Sequence, residues 1–199
     1  MAYYDVKSDL YVWALCAGPI IGLAAFWFVS IAGQAKENAV PNRLRPIMCI
    51  INFTLIGCLA IYLPAVLGNG KSPAQLEFSD SIGIGASFAL LIIRTLITWS
   101  SLKAGSFGGL LTPSLANGAL LGVCLGGIWS MFFPGSSLNC YAIVGATAFL
   151  AAAQKMPLTA IILIFEFTHI KLTFIMPLLI AVTGAVGIFK YLSSKQKAH

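Results

Sequence analysis

Hydrophobic positions in this chain fall in long unbroken blocks, and polar residues mark the joints between them. Residues 10–33 carry no charge, enough to cross a bilayer whose hydrocarbon core takes about 20 apolar helical residues. Residues 34–45 hold Lys36, Arg43 and Arg45 against Glu37 and read as a loop. Residues 46–70 form a second uncharged block, with Pro64 expected to end its helix. Residues 71–80 are polar and leave room for one short helical piece, SPAQLEF. Residues 81–102 are apolar apart from Arg94 and a few hydroxyl residues. Residues 104–154 contain no charge and are too long for one helix. Pro113 and the run Pro134-Gly135-Ser136-Ser137 divide them, predicting helices over 110–132 and 141–153. Lys155 and Pro157 then set off 158–169, and 172–189 is the last block before Lys190, Lys195 and Lys197.

Two of these blocks, 141–153 and 158–169, are too short to span. Short paired segments around a Lys-x-Pro break predict helices that enter the membrane and stop partway. Such backbone survives at depth only when buried in protein or lining a wet cavity, and transporters use such helix ends to build ion sites. Gly18 and Gly22, and Gly118, Gly122 and Gly126, recur at four-residue spacing and are expected to let helices approach closely. The 34–45 loop and the Lys-bearing tail are the most basic connections, which places both in the cytoplasm and the Lys71 region outside.

Composition agrees with this reading. Of 199 residues, 59% are hydrophobic and only 9% are charged, with a net charge of +6. That excludes a disordered chain and leaves too few charges to clothe a soluble globule. The predicted class is therefore an all-α integral membrane protein with tilted, partly re-entrant helices. The chain reads as one transmembrane unit over 1–199, with a polar lead at 1–9 and a basic tail at 193–199. The basic residues form no stripe, so nucleic acid is not an expected partner. Four of the five cysteines (Cys16, Cys49, Cys58 and Cys124; the fifth is Cys140) lie in apolar blocks without metal-ligand spacing, so neither disulfides nor a metal site is expected. The opening MAYYDVKSDL lacks the basic leader and cleavage site of a signal peptide.

The richest candidate chemistry is Lys103-Ala-Gly-Ser-Phe-Gly-Gly-Leu-Leu-Thr-Pro-Ser114, a Gly-rich loop leading into an uncharged helix. Gly105, Gly108 and Gly109 permit tight turns and leave amides unshielded. Pro113 suits a first helical turn. The first amides of a helix have no intrahelical acceptor, and with the dipole they make an anion site that needs no charged side chain. That suits a halide, which partial charges bind weakly enough to release. A plain re-entrant turn is the competing reading.

In Gly109-Leu-Leu-Thr-Pro113 the chain resembles the G-x-F-x-P motif of the CLC family of chloride channels and chloride/proton exchangers. Residues 151–168, Ala-Ala-Ala-Gln-Lys-Met-Pro-Leu-Thr-Ala-Ile-Ile-Leu-Ile-Phe-Glu-Phe-Thr, are similar to that family's A-A-x-x-x-A-P-L-T-x-I-x-x-x-x-E-x-T signature. Residues 63–70, Leu-Pro-Ala-Val-Leu-Gly-Asn-Gly, are similar to its P-x-x-x-G-x-G turn. The segments stand in the family's order and cover residues 10–192. The resemblance implies a chloride ligated by two consecutive amides, here Leu110 and Leu111, with Gly108 and Gly109 granting access. Leu stands where the family usually has Phe, which changes packing more than ligation. Thr112 is a candidate polar neighbour of the anion; capping of its own helix is the competing reading. The family's subunit has two inverted repeats, and this chain resembles the second. The first supplies G-S-G-I-P and the gating Glu of G-x-E-G-P, and neither string occurs here. The pore-lining Tyr of the family's last helix falls near Ala198; Tyr191 comes too early. Regulatory CBS domains are absent from the 199 residues.

Arg94, inside an apolar block, is expected to be paired. It either adds to the anion potential or binds helix-end carbonyls, the structural role being preferred. Glu166 matches the family's structural Glu rather than a proton relay, and His169 reads as interfacial. No catalytic triad, P-loop or carboxylate pair is present, so an enzyme is not expected, nor a cofactor beyond chloride itself. The sequence thus predicts transport of a small anion, in the plasma or inner membrane, by the C-terminal half of a CLC-type channel or exchanger. A separately encoded N-terminal half is the expected partner, with a homodimer for the assembled protein. A truncated remnant without transport, or a membrane scaffold that retains the fold, are the alternatives.

Overall fold

The computed structural model describes residues 7–63 and 84–197 and is helical throughout those residues, with no strand among them. Seven α-helices are seen there: α1 (Ser8–Glu37), α2 (Arg45–Tyr62), α3 (Ile84–Lys103), α4 (Leu111–Phe132), α5 (Leu138–Gln154), α6 (Pro157–Thr168) and α7 (Ile175–Lys197). A 3-10 turn at Leu172–Phe174 leads into α7. Five of the described helices are long and apolar enough to cross a membrane, while α5 and α6 are shorter. At 1.5 Å per residue, the 12 residues of α6 reach roughly 18 Å, well short of a hydrocarbon core of about 30 Å. The short paired helices expected around the Lys-x-Pro break are thus present.

The hydrophobic blocks set the helices, and local chemistry sets their ends. α1 begins earlier and ends later than its uncharged stretch, taking in Ser8 and Asp9 from the expected polar lead and Lys36 and Glu37 from the expected loop. Asp9 and Lys36 suit these ends, since carboxylates favour a helix N-terminus and ammonium groups a C-terminus; Glu37 has no such support. α2 ends at Tyr62 with Leu63 as its cap, as the following Pro64 requires. The expected SPAQLEF helix, the Lys71 region and residues 64–70 of the Pro-Gly turn lie outside the described residues. α5 starts at Leu138 rather than 141, directly after the Pro-Gly-Ser-Ser run. α7 continues through 193–197, so most of the expected tail is helix. Tyr191 belongs to α7 and is exposed.

The core is built on α5, which is buried from Asn139 through Ala153. α4 packs against it through its glycine stripe. A Cβ at Gly118 would lie 2.6 Å from Phe149 Cβ, and one at Gly122 or Gly126 would collide with Tyr141. Between α1 and α7, Gly18 faces Ala181 and Gly22 faces Ala185. Small residues at these positions give the close approach that drives helix association in lipid, where apolar surface alone gains nothing. On α2, by contrast, only Ala60 is buried.

The pairings fix helix directions. Gly18 meets Ala181, Gly22 meets Ala185 and the Phe26 ring meets that of Phe189 edge to face at 5.9 Å, so α1 and α7 run parallel. Trp13 packs on Tyr141 and Phe28 on Phe149, so α5 points the same way. The α3 terminus joins them, since the Val40 amide donates to the Lys103 carbonyl at 3.0 Å. Lys36, Arg43, Arg45, Lys103, Lys155, Lys190 and Lys195 therefore gather at one end of the bundle. At the other end the Asp9 carboxylate accepts from Tyr141 Oη at 2.7 Å and from the Ser136 amide and hydroxyl, each at 3.0 Å.

Candidate functional site

The Gly-rich segment divides into two parts. Its first amides close the end of α3: Ala104 donates to the Ser100 carbonyl, Gly105 to Leu102 and Ser106 to Ser101. Gly105 has φ +92°, the conformation that glycine adopts without a Cβ penalty. From Phe107 onward the pattern changes. Among the described residues, the amides of 107–112 donate to no acceptor; the first bond of α4 runs from the Ser114 amide to the Leu110 carbonyl at 2.9 Å. Leu110 is the N-cap, so Leu111, Thr112 and Pro113 form the first turn, as the Pro113 placement predicted. Gly108 and Gly109 do not need positive φ; open space surrounds both, so nothing screens the neighbouring amides.

The segment 108–112 of that row lines a cavity of about 380 Å³, with one face of α3 on the other side. Arg94, Thr98 and Ser101 contribute from that face, at i, i+4 and i+7, together with Ser106 from the loop. Arg94 is buried, at 7% exposure. The hydroxyls are largely committed. Thr98 donates to the Arg94 carbonyl at 2.9 Å, Ser106 to the Ser101 carbonyl at 2.6 Å, and Ser101 accepts from Asn52 at 3.1 Å. The positively charged or polarised groups on this lining are therefore the helix-start amides and the buried residue Arg94, an arrangement suited to a small anion and poorly suited to a cation.

The structure brings Gly108, Gly109, Leu110, Leu111, Thr112, Pro113 and Arg94 into this one lining. Thr112 does not cap its helix: no side chain caps α4, and the hydroxyl that bonds back to Leu110 is that of Ser114, at 2.6 Å. Glu166 is exposed in the last turn of α6 and does not line the cavity; no hydrogen bond or ion pair holds it among the described residues. His169 ends α6 in the left-handed conformation, φ +49°. Sequence reasoning passed over Thr98, Ser101 and Ser106. The signal was available, since Arg94, Thr98 and Ser101 make a polar stripe at helical spacing on an otherwise apolar helix.

The fold is shared with solved structures. A slow cyanobacterial Cl-/H+ antiporter superposes with a TM-score of 0.87 at 22% identity, covering 98% of this chain and 47% of that one. A CLC-type fluoride/proton antiporter gives 0.69 at 19% identity, over 96% of this chain and 47% of that one. The chain is 32% identical over 143 residues to the H(+)/Cl(-) exchange transporter ClcA of Salmonella typhi, which is 71% of this chain and 30% of that protein. ClcA of Klebsiella pneumoniae is similar to the same degree. The chain thus spans under half the length of these relatives. The family pattern of the voltage gated chloride channel matches residues 2–190, nearly the whole chain and with it every element of the cavity. This protein belongs to the voltage gated chloride channel family.

Proposed function

We propose that this chain forms one half of a pathway that carries chloride, or an anion of similar size, across a membrane. The observation that carries the reading is the row of uncommitted amides at 108–112, on the same cavity lining as the buried Arg94. The amides of Leu110 and Leu111 ligate the anion, Gly108 and Gly109 keep the approach clear, and Thr112 lies beside the path. Arg94 adds a full positive charge across the cavity, while binding to dipoles leaves the anion free to move on. The printed activities of the relatives, chloride/proton and fluoride/proton exchange, support the same class of substrate.

Among the described residues, no acid lines the cavity. We assign this chain the anion ligands and assign proton coupling, where present, to a separately encoded N-terminal half that closes the pathway. The assembled protein is a homodimer with its basic end in the cytoplasm, in the plasma or inner membrane; the gathering of seven cations at that end supports this orientation. Chloride efflux from liposomes tests the reading, with the chain alone and then with a candidate partner half. Chloride-dependent flux with the partner is expected. Its absence in both cases would leave a non-transporting remnant or scaffold.

A further inference from the structure

A second cavity, of about 160 Å³, lies beside the first at the basic end. Leu102, Ser106 and Gly108 line both cavities, so the two meet at the Gly-rich loop. The outer one adds Lys36 from the end of α1, Arg45 from the start of α2 and Phe107 from the loop. Among the described residues its lining includes no acid; Glu37, next to Lys36 in sequence, is not part of it.

Arg45 is held in place rather than free to swing. Its Nε donates to the Val40 carbonyl at 3.2 Å, its guanidinium carbon lies 5.4 Å from the centre of the Phe107 ring, and its stem packs on Gly105. A Cβ at Gly105 would approach Arg45 Cγ to 2.8 Å, so the glycine admits the arginine as well as the turn. With Nε and one face occupied, the terminal nitrogens remain as a fixed fork of donors. Phe107 is 90% exposed, an aromatic ring standing at the mouth with a cation upon it.

Building on the proposed anion pathway, we propose that Lys36 and Arg45 form an outer capture site for small inorganic anions. This site feeds the Leu110/Leu111 amides across the boundary at Leu102, Ser106 and Gly108. Full charges act over a distance that partial charges do not reach, and a positive cleft with low-dielectric walls concentrates anions before they meet the inner ligands. Such an effect weakens as salt shortens the screening length to about 10 Å at 0.1 M.

The test uses the purified chain in phosphatidylcholine nanodiscs, together with its partner half where one is found, titrated calorimetrically with chloride. Lys36→Gln and Arg45→Gln are each expected to lower affinity by about threefold to tenfold at low ionic strength. The loss should shrink at high ionic strength. Lys195→Gln, at the same end of the bundle but outside the cavity, should leave affinity unchanged. Melting temperatures are recorded for every variant; Lys36 is exposed, so its substitution keeps the test informative if Arg45→Gln fails to fold. Chloride binding by the wild type that is indifferent to both substitutions would overturn the capture site and leave the inner site standing. An equal loss from Lys195→Gln would overturn it as a mere net-charge effect. A change in retention of phosphatidylglycerol without a change in chloride affinity would reassign the cations to lipid headgroups. No chloride binding by the wild type in any arm would overturn the inner site and the capture site together.

Discussion

Tyr141 donates a 2.7 Å hydrogen bond to Asp9, joining the first turn of α1 to the first turn of α5 across most of the chain. The carboxylate takes two more bonds from Ser136 in the α4–α5 connection, so one side chain ties three segments. Tyr141 is fully buried, with its ring 4.8 Å from that of Trp13. Asp9→Ala is expected to lower stability by about 2 to 3 kcal/mol, because it strands a buried hydroxyl and removes charge-assisted bonds. Tyr141→Phe should cost about 1 kcal/mol, since Ser136 still serves the carboxylate. Thermal unfolding in detergent reads both, and equal losses would contradict this order.

The glycine contacts predict a sharp contrast within a single helix. Gly22→Val drives a side chain into the Ala185 carbonyl and should cost about 3 kcal/mol or prevent folding. Gly33→Ala, also in α1, meets nothing within 4 Å and should be neutral or stabilise by up to about 1 kcal/mol through helix propensity. Melting temperatures of the two variants check the difference.

Lys155 closes α5 at φ +59°, a left-handed position for which glycine is the usual residue. Lys155→Gly should therefore raise stability by about 0.5 to 1 kcal/mol. A fall in melting temperature would mean that the lysine side chain, 5.9 Å from the Phe189 ring, contributes more than the backbone strain costs.

Within the cavity, ligation by backbone and by side chain can be separated. Leu111→Ala keeps its amide and should alter chloride affinity by no more than about twofold, since no ligand is lost. Gly109→Pro fills the open approach and fixes the loop backbone, and should abolish measurable binding. Arg94→Gln should weaken binding by about tenfold or more, and Arg94→Lys by less, because charge is kept but the planar fork is lost. Calorimetry with chloride measures all four.

How far the sequence could be read depended on which signals were local. Uncharged blocks located the described helices to within a few residues except at the end of α7, which runs eight residues past its block to Lys197, and Gly118, Gly122 and Gly126 announced a close contact. The anion loop was legible because Gly, Pro and the absence of charge are all written within a dozen residues. What escaped was long-range. Nothing near Asp9 points to Tyr141, and nothing near Lys36 points to Phe107, because folding rather than spacing brings them together. The helix ends also ran past the blocks: Ser8, Asp9 and Lys36 look like loop residues by polarity, yet each suits the terminal turn it occupies, while Glu37 is carried into the helix against the dipole. Thr112 does not cap, although its hydroxyl sits in the right turn; two residues earlier, Leu110 holds the cap position without a side-chain bond.

The parallel seam between α1 and α7 has a consequence for biogenesis. The first and last described helices meet through Gly18, Gly22, Ala181 and Ala185, a pairing between opposite ends of the chain. During synthesis the glycine face of α1 has no mate until α7 has been made, with five described helices between the two. Contacts of such sequence separation form slowly, and the waiting surface is one that insertion chaperones or a second protein could occupy first. The order of emergence, set by the gene, thus keeps the glycine face of α1 waiting for α7.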